Sequence, residues 1–177
     1  MTIKYNNVFI EDAYTICGNY ENDGPLSKYF DKKYEKDLYF GEKSWEQAEV
    51  HLLKEANTNI LKKNKLKEED IDLLISGDLQ NQIAASNYMA REFNIPFLGI
   101  FEACSTSGEG LAIGSTYIEG GFAQKILVST SSHNMAAEKQ FRNPTEYGTP
   151  KPKTATFTST GGVSILLSNK KSKVKVE

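Results

Sequence analysis

The chain has 177 residues, of which 39% are hydrophobic and 25% charged, and its formal net charge is -2. At ~150 residues per domain this length describes one domain, or one half of a larger duplicated fold, with enough apolar residues to bury a core unaided. Acidic and basic residues nearly cancel, which excludes the broad positive field that nucleic acid requires; the basic cluster of the sequence is the short tail over 170–175.

The two cysteines, Cys17 and Cys104, make neither a disulfide framework nor a zinc ribbon, so a reducing compartment is expected. The first residues lack a basic start followed by an apolar stretch, and the longest apolar runs are too short to cross about 30 Å of hydrocarbon. Neither signal peptide nor anchor is expected, and membrane association would come through a partner.

In chain order, Val8, Phe9, Ile10 and then Ala13, Tyr14, Thr15, Ile16 predict a strand with a turn at Glu11 and Asp12, ended by Gly18. Residues 19–43 are polar and contain the pair Gly24 and Pro25, which reads as a long surface excursion anchored by Tyr29, Phe30, Tyr39 and Phe40. Ser44 followed by Gln47 fits a capping box. Trp45, Ala48, Leu52, Ala56 and Ile60 then recur at helical spacing, predicting a helix of about five turns.

Residues 71–75 are short, apolar and closed by Ser76 and Gly77, as in a buried parallel strand. A second helix is predicted over 82–93, ended by Asn94 and Pro96. Another apolar strand follows at 97–101 and leaves through Ala103, Cys104, Ser105, Thr106 and Ser107. The segment 104–121 has Gly108, Gly110 and Gly114 against helix formation, yet almost no charged face beyond Glu109 and Glu119. It predicts a central buried helix on which other backbones press closely. Strands at 125–130 and 163–167 complete the set, with a long polar loop between them of the kind that serves as lid, binding element or subunit contact. The alternation implies an α/β fold: a mostly parallel, five-stranded sheet with helices on both faces.

Cys104 stands where a strand ends and a helix begins, so backbone amides and the positive helix end would stabilise a thiolate or a bound anion. The alternative is an inert core cysteine; the small polar neighbours Ser105, Thr106 and Ser107 favour a site. A nucleophile also needs a base. His51 lies off the apolar stripe of its helix and reads as a solvated surface imidazole. His133 follows a strand at the end where open parallel sheets bind ligands, although a loop histidine without a role fits as well. Asp78, Asn81 and Gln82 follow a strand at the same sheet edge and suit either a pocket or helix caps. Arg142 and Glu146, in the long loop, suit an anionic ligand or a mutual solvent pair. No dinucleotide turn, Walker loop or histidine-rich metal cluster is present in the sequence.

These residues carry a resemblance. Gly24-Pro25-Leu26, Tyr29-Phe30-Asp31, Phe40-Gly41-Glu42-Lys43-Ser44-Trp45-Glu46-Gln47-Ala48-Glu49, Ser76-Gly77-Asp78-Leu79 and Ala103-Cys104-Ser105-Thr106 resemble the stage V sporulation protein AD family. So do Ser131-Ser132-His133-Asn134, Ala137-Glu138-Lys139-Gln140-Phe141-Arg142, Pro144-Thr145-Glu146-Tyr147-Gly148 and Thr154-Ala155, so the match runs through nearly the whole chain. The family is similar in fold to thiolases and ketoacyl synthases, in which two related halves stack. The resemblance implies that this chain, ending near where a second half should start, is a thiolase-like N-terminal half over 1–177. Its glycine-rich helix would be sandwiched against the counterpart from the other half.

Thiolase-type enzymes draw their catalytic histidine and a second group from that other half. Cys104 would therefore hold the nucleophile's place without its activators, and acyl transfer would be the lesser reading. The resemblance implies instead binding of dipicolinic acid, with or without calcium, for uptake into the developing spore. No cofactor or resident metal is implied. Membrane proteins of sporulation stage V are the implied partners, and the implied location is cytoplasmic or peripheral at the spore inner membrane. Recognition of a flat pyridine dicarboxylate calls for hydroxyl, amide or arginine donors and an apolar wall. Asp78, Cys104, Ser105, Ser132, His133 and Arg142 are the candidate ligand-binding residues. Without its second half the Cys104 helix would leave an apolar face open, and self-association, as a homodimer, is expected.

Overall fold

The computed structural model describes residues 3–141, 156 and 158–177. In chain order these form β1 (Phe9–Cys17), α1 (Asn19–Asn22), β2 (Lys32–Lys33), α2 (Trp45–Lys63), β3 (Leu73–Gly77), α3 (Ala84–Ala90), β4 (Phe97–Gly99), α4 (Thr106–Glu119), β5 (Lys125–Ser132), α5 (Asn134–Phe141), β6 (Gly161–Ser168) and β7 (Val174–Lys175). The strands make one sheet in the order β2-β1-β6-β5-β3-β4, with β7 added along β1. The α/β class holds, with seven strands rather than the five expected. The two extra strands are two-residue ladders, too short to leave a periodic signal.

β3 pairs parallel with β4 and β5, and β1 with β2, whereas β6 runs antiparallel to both β1 and β5. Five of the seven strands therefore point one way, and β6 and β7 run against them. The C-terminal ends of β3 and β5 lie side by side, with Gly77 opposite Thr130. That register decides which loops meet.

The period-2 alternation of the strands divides the core. Leu74, Leu127 and Leu166 face α2 and α3, packing with Leu53, Ile60, Ala85 and Met89. Ile75, Ile126, Val128 and Leu167 face the other way, toward Ile100 and toward Ile118 of α4. Helices thus cover both faces, as expected. Ser44 caps α2 by accepting from the Gln47 N–H at 3.2 Å, while the Gln47 side-chain amide oxygen (Oε1) accepts from Lys43 N–H. A Cβ on Gly110 would stand 2.6 Å from Val128 Cγ1 and one on Gly114 2.9 Å from Leu167 Cδ1. These glycines let α4 lie directly on the sheet. Its other side, with Gly108, Ala112, Thr116 and Tyr117, is exposed, so in this chain the helix is buried on one side only.

Other expectations need correction. The turn at Glu11 and Asp12 is a β-bulge inside one continuous strand, where the register with β6 shifts between Ile10 and Asp12. The helix predicted over 82–93 covers only Ala84–Ala90, because Gln82 (φ 58°) and Ile83 (φ 48°) are left-handed just before it. In the 19–43 excursion Phe40 is buried, but Tyr29 is 69% exposed and anchors nothing. The loop after β5 opens as α5. Among the described residues no helix is long and apolar enough to cross a membrane.

Candidate functional site

At the C-terminal ends of β3 and β5 lies a cavity of about 610 Å³. Cys104 sits on its rim, exposed to solvent, in a single 3-10 turn (Ala103–Ser105) that leads into α4. Ala103 just before it is left-handed (φ 47°), a conformation that a residue with a Cβ adopts only where its surroundings impose it. Thr106 fixes the turn from the helix side: its hydroxyl donates to Ala103 O at 2.8 Å and accepts from Glu102 N–H at 3.1 Å. The sulfur is thus presented on a fixed corner at the positive end of a 14-residue helix. Cys17, by contrast, is fully buried, and burial pushes its thiol upward.

Beyond the Cys104 turn, the lining comes from β5, from the residues leading into and opening β6, and from the end of β1 and Phe30. Thr130, Ser132, Thr158 and Ser159 supply hydroxyl groups, and Phe30 and Val163 supply apolar surface. Ser107 and Thr130 share one hydrogen bond at 2.7 Å, which leaves one of the two hydroxyl hydrogens for another acceptor. Ser132 donates to Ser159 O at 2.7 Å and ties β5 to the segment before β6.

The structure brings Asp78, Cys104 and Ser132 to this cavity. Asp78 is 1% exposed, and both its carboxylate oxygens are occupied: one accepts from Gln80 N–H at 2.8 Å, the other from Ser86 N–H at 2.7 Å. It therefore pins the corner with left-handed Gln82 and Ile83 to α3 and acts as a cap, one of its two sequence readings. Ser105 does not line the cavity. Its side chain is exposed and donates back to Glu102 O at 3.0 Å, because the 3-10 turn rotates it away from Cys104.

His133 also lies off the cavity and is completely buried. One ring nitrogen meets Leu38 O at 2.8 Å, and the other accepts the Ala136 N–H at 3.4 Å, capping α5. This requires the neutral ring protonated on Nε2, and burial pushes the imidazole below its ordinary value. His133 ties α5 to the 19–43 excursion instead of serving Cys104. Arg142 and Glu146 lie outside the described residues, as do Thr154 and Ala155. Asn81 and Gln82 form part of the strained corner before α3. His51 is half-buried rather than solvated: Nε2 faces Tyr34 Oη at 3.0 Å and Nδ1 faces Glu42 at 3.1 Å, within a cluster that includes a Lys32–Glu55 ion pair.

Sequence reading missed Glu49. It lies on α2 with no exposed surface, and burial pushes its carboxyl up to about 7, with Asp78's charge adding to the rise and hydrogen bonds from Gln80 and Ser131 opposing it. Because the folded-state value exceeds that of a free carboxyl, the group favours folding at low pH, and that contribution is lost as pH rises through about 7. A sequence signal existed: Glu49 lies one residue beyond Ala48 and three before Leu52, on the flank of the apolar stripe where a carboxylate is out of place. A further buried polar chain runs across the same sheet face. Ser164 donates to Asn57, Asn57 to Ser129, Ser129 to Ser76 and Ser76 to Ser86, each link between 2.7 and 3.2 Å.

Sheet order, the glycine-bearing helix against the sheet and a cysteine at its start define a thiolase-like fold. Matching solved structures include OleA from Xanthomonas campestris (TM-score 0.59, 15% identity, 93% of this chain and 58% of that one). Another is 3-oxoacyl-[acyl-carrier-protein] synthase III from Aquifex aeolicus (TM-score 0.56, 16% identity, 94% and 53%). A fungal type III polyketide synthase matches with TM-score 0.61, 13% identity and coverage of 93% and 56%. Within that class, the family model of stage V sporulation protein AD matches residues 1–177. Stage V sporulation protein AD of Bacillus subtilis (strain 168) is 50% identical over 161 residues, 91% of this chain and 47% of that protein. The chain belongs to the stage V sporulation protein AD family, and it spans about half the length of this curated relative.

Proposed function

We propose that the chain binds dipicolinic acid, free or as its calcium complex, without turning it over, and that the Cys104 cavity holds it for uptake into the developing spore. The observation that carries this reading is the cavity itself: a lining of hydroxyl groups, the apolar surface of Phe30 and Val163, and the start of α4 at its rim. A flat ring with two carboxylates uses all three, and a volume of about 610 Å³ admits it. Among the described lining residues Asp78 and Cys104 are the titratable ones, and Asp78 is committed to backbone amides, so no base is set against the sulfur. In this reading Cys104 and Ser132 contact the ligand, Asp78 holds the loop beside it, and Arg142 adds a cation.

The same reading takes 1–177 as the N-terminal half of a duplicated fold, with the open side of α4 as the surface that a second half or a second copy covers. It takes the protein as cytoplasmic or peripheral at the spore inner membrane, with stage V membrane proteins as its partners. The exposed cysteine on a strained corner also suits the second reading, an acyltransferase forming a thioester on Cys104. Calorimetric titration with dipicolinate, with and without calcium, separates the two. Saturable heat is expected, together with an unmodified Cys104 peptide after incubation with acyl-coenzyme A. Absence of heat at millimolar ligand, or an acyl mass on that peptide, overturns the binding reading.

A further inference from the structure

Taking the cavity as an anion site, the reading on which this rests, we propose that the anion enters together with a proton, which lodges on the Glu49 carboxyl directly behind the cavity wall. Glu49 has no exposed surface. One carboxyl oxygen accepts from Ser131 Oγ at 3.0 Å and the other from Gln80 Nε2 at 2.9 Å. Ser131 itself lines the cavity, and Gln80 follows the lining residues Asp78 and Leu79. A single residue's thickness therefore separates this carboxyl from whatever the cavity contains.

The charges around Glu49 favour its neutral form. Its described hydrogen-bond partners are Ser131, Gln80 and the Leu79 backbone, all uncharged. Asp78, from the loop after β3, opposes its ionisation. From α5, Lys139 is committed to Glu46 at 2.8 Å, and Glu138 accepts from Thr158 N–H. Neither α3 nor β6 carries an Asp, Glu, Lys or Arg, and Lys125 stands at the opposite end of β5. Glu11 and Asp12 of β1 lie toward the far end of α2, where Asp12 meets Lys63 at 2.9 Å. The carboxyl's balance point of about 7 means that a modest extra field decides its state. An anion in the cavity supplies that field. Protonation costs little near neutrality, and it removes one of the two like charges facing the ligand, leaving that of Asp78, which two backbone N–H groups hold.

The donor pattern changes in the same direction. Ionised Glu49 can only accept, so it holds the Ser131 hydroxyl hydrogen. Once protonated it can donate to Ser131 Oγ, which releases that hydrogen. Glu49→Gln reproduces this state: its amide oxygen accepts from Gln80 and its amide N–H donates to Ser131.

The test is titration of the purified protein with dipicolinate at pH 6, 7 and 8, each in two buffers of different ionisation enthalpy. Both carboxylates of the probe are ionised throughout this range. Wild-type protein is expected to take up about one proton per anion above neutrality, and its affinity to fall ~3- to 10-fold per pH unit there. Glu49→Gln is expected to bind at pH 8 as tightly as wild type at pH 6, without proton uptake. Heat that is equal at all three pH values with no uptake, or pH dependence that persists in Glu49→Gln, overturns the proton coupling and leaves anion binding intact. No heat at any pH removes the anion site itself. The two-buffer measurement on wild type stands even if the variant fails to fold.

Discussion

Replacing Asp78 by alanine is expected to lower the free energy of unfolding by about 3–5 kcal/mol, read as a fall in the urea midpoint without a large change in slope. The side chain is 1% exposed and receives two backbone N–H groups, at 2.8 Å from Gln80 and 2.7 Å from Ser86. Alanine leaves both donors buried without an acceptor, in a corner already held by left-handed Gln82 and Ile83. Asparagine keeps one acceptor oxygen and should fall between wild type and alanine. A loss of under ~0.5 kcal/mol for the alanine variant would show that the 78–86 loop is held by something else. The same variant should weaken ligand binding, because Asp78 lines the cavity through the loop that it orders.

Gly77→Ala is expected to destabilise the protein by about 3 kcal/mol or more and to abolish ligand binding together with the loss. Gly77 ends β3, and a Cβ there would stand 2.3 Å from Ile100 O and 2.5 Å from Thr106 Cγ2. The first contact is with backbone, which cannot rotate aside. Relief requires shifting the chain that leaves β4, and with it the Thr106 hydroxyl that holds the Cys104 turn. Gly108→Ala is the control on the same helix–sheet unit. Nothing lies within 4 Å of its Cβ position, so the better helix former should leave stability unchanged or raise it by up to ~1 kcal/mol. Thermal unfolding of the two variants side by side reads the contrast. Equal behaviour would mean that α4 does not pack as closely as its glycines indicate.

The sequence carried the layer architecture because its strands and helices differ sharply in hydrophobic period. Trp45, Ala48, Leu52, Ala56 and Ile60 mark α2, and the short apolar runs mark β3 to β6. The close approach of α4 was legible from its glycines. Direction was harder: β6 is antiparallel to both its neighbours, and no residue in Gly161–Ser168 signals this. The site was legible up to Cys104, Asp78 and Ser132, because strand ends and small polar runs are local features. His133 misled for a physical reason. A histidine just after a strand is equally suited to cap the next helix, and α5 was hidden inside what read as a polar loop. The place of Glu49 on the flank of the apolar stripe signals burial, but not a site, because its partners Gln80 and Ser131 are 31 and 82 residues away, beyond the reach of any local pattern.

The most direct test of the account is alkylation of Cys104 by iodoacetamide, followed by mass spectrometry of its peptide as dipicolinate is added. Cys104 is expected to react freely without ligand and to be protected along the same saturation curve that calorimetry gives, while buried Cys17 stays unmodified throughout. An alkylation rate at Cys104 that does not change at ligand concentrations saturating the heat signal would place the ligand elsewhere and contradict the account.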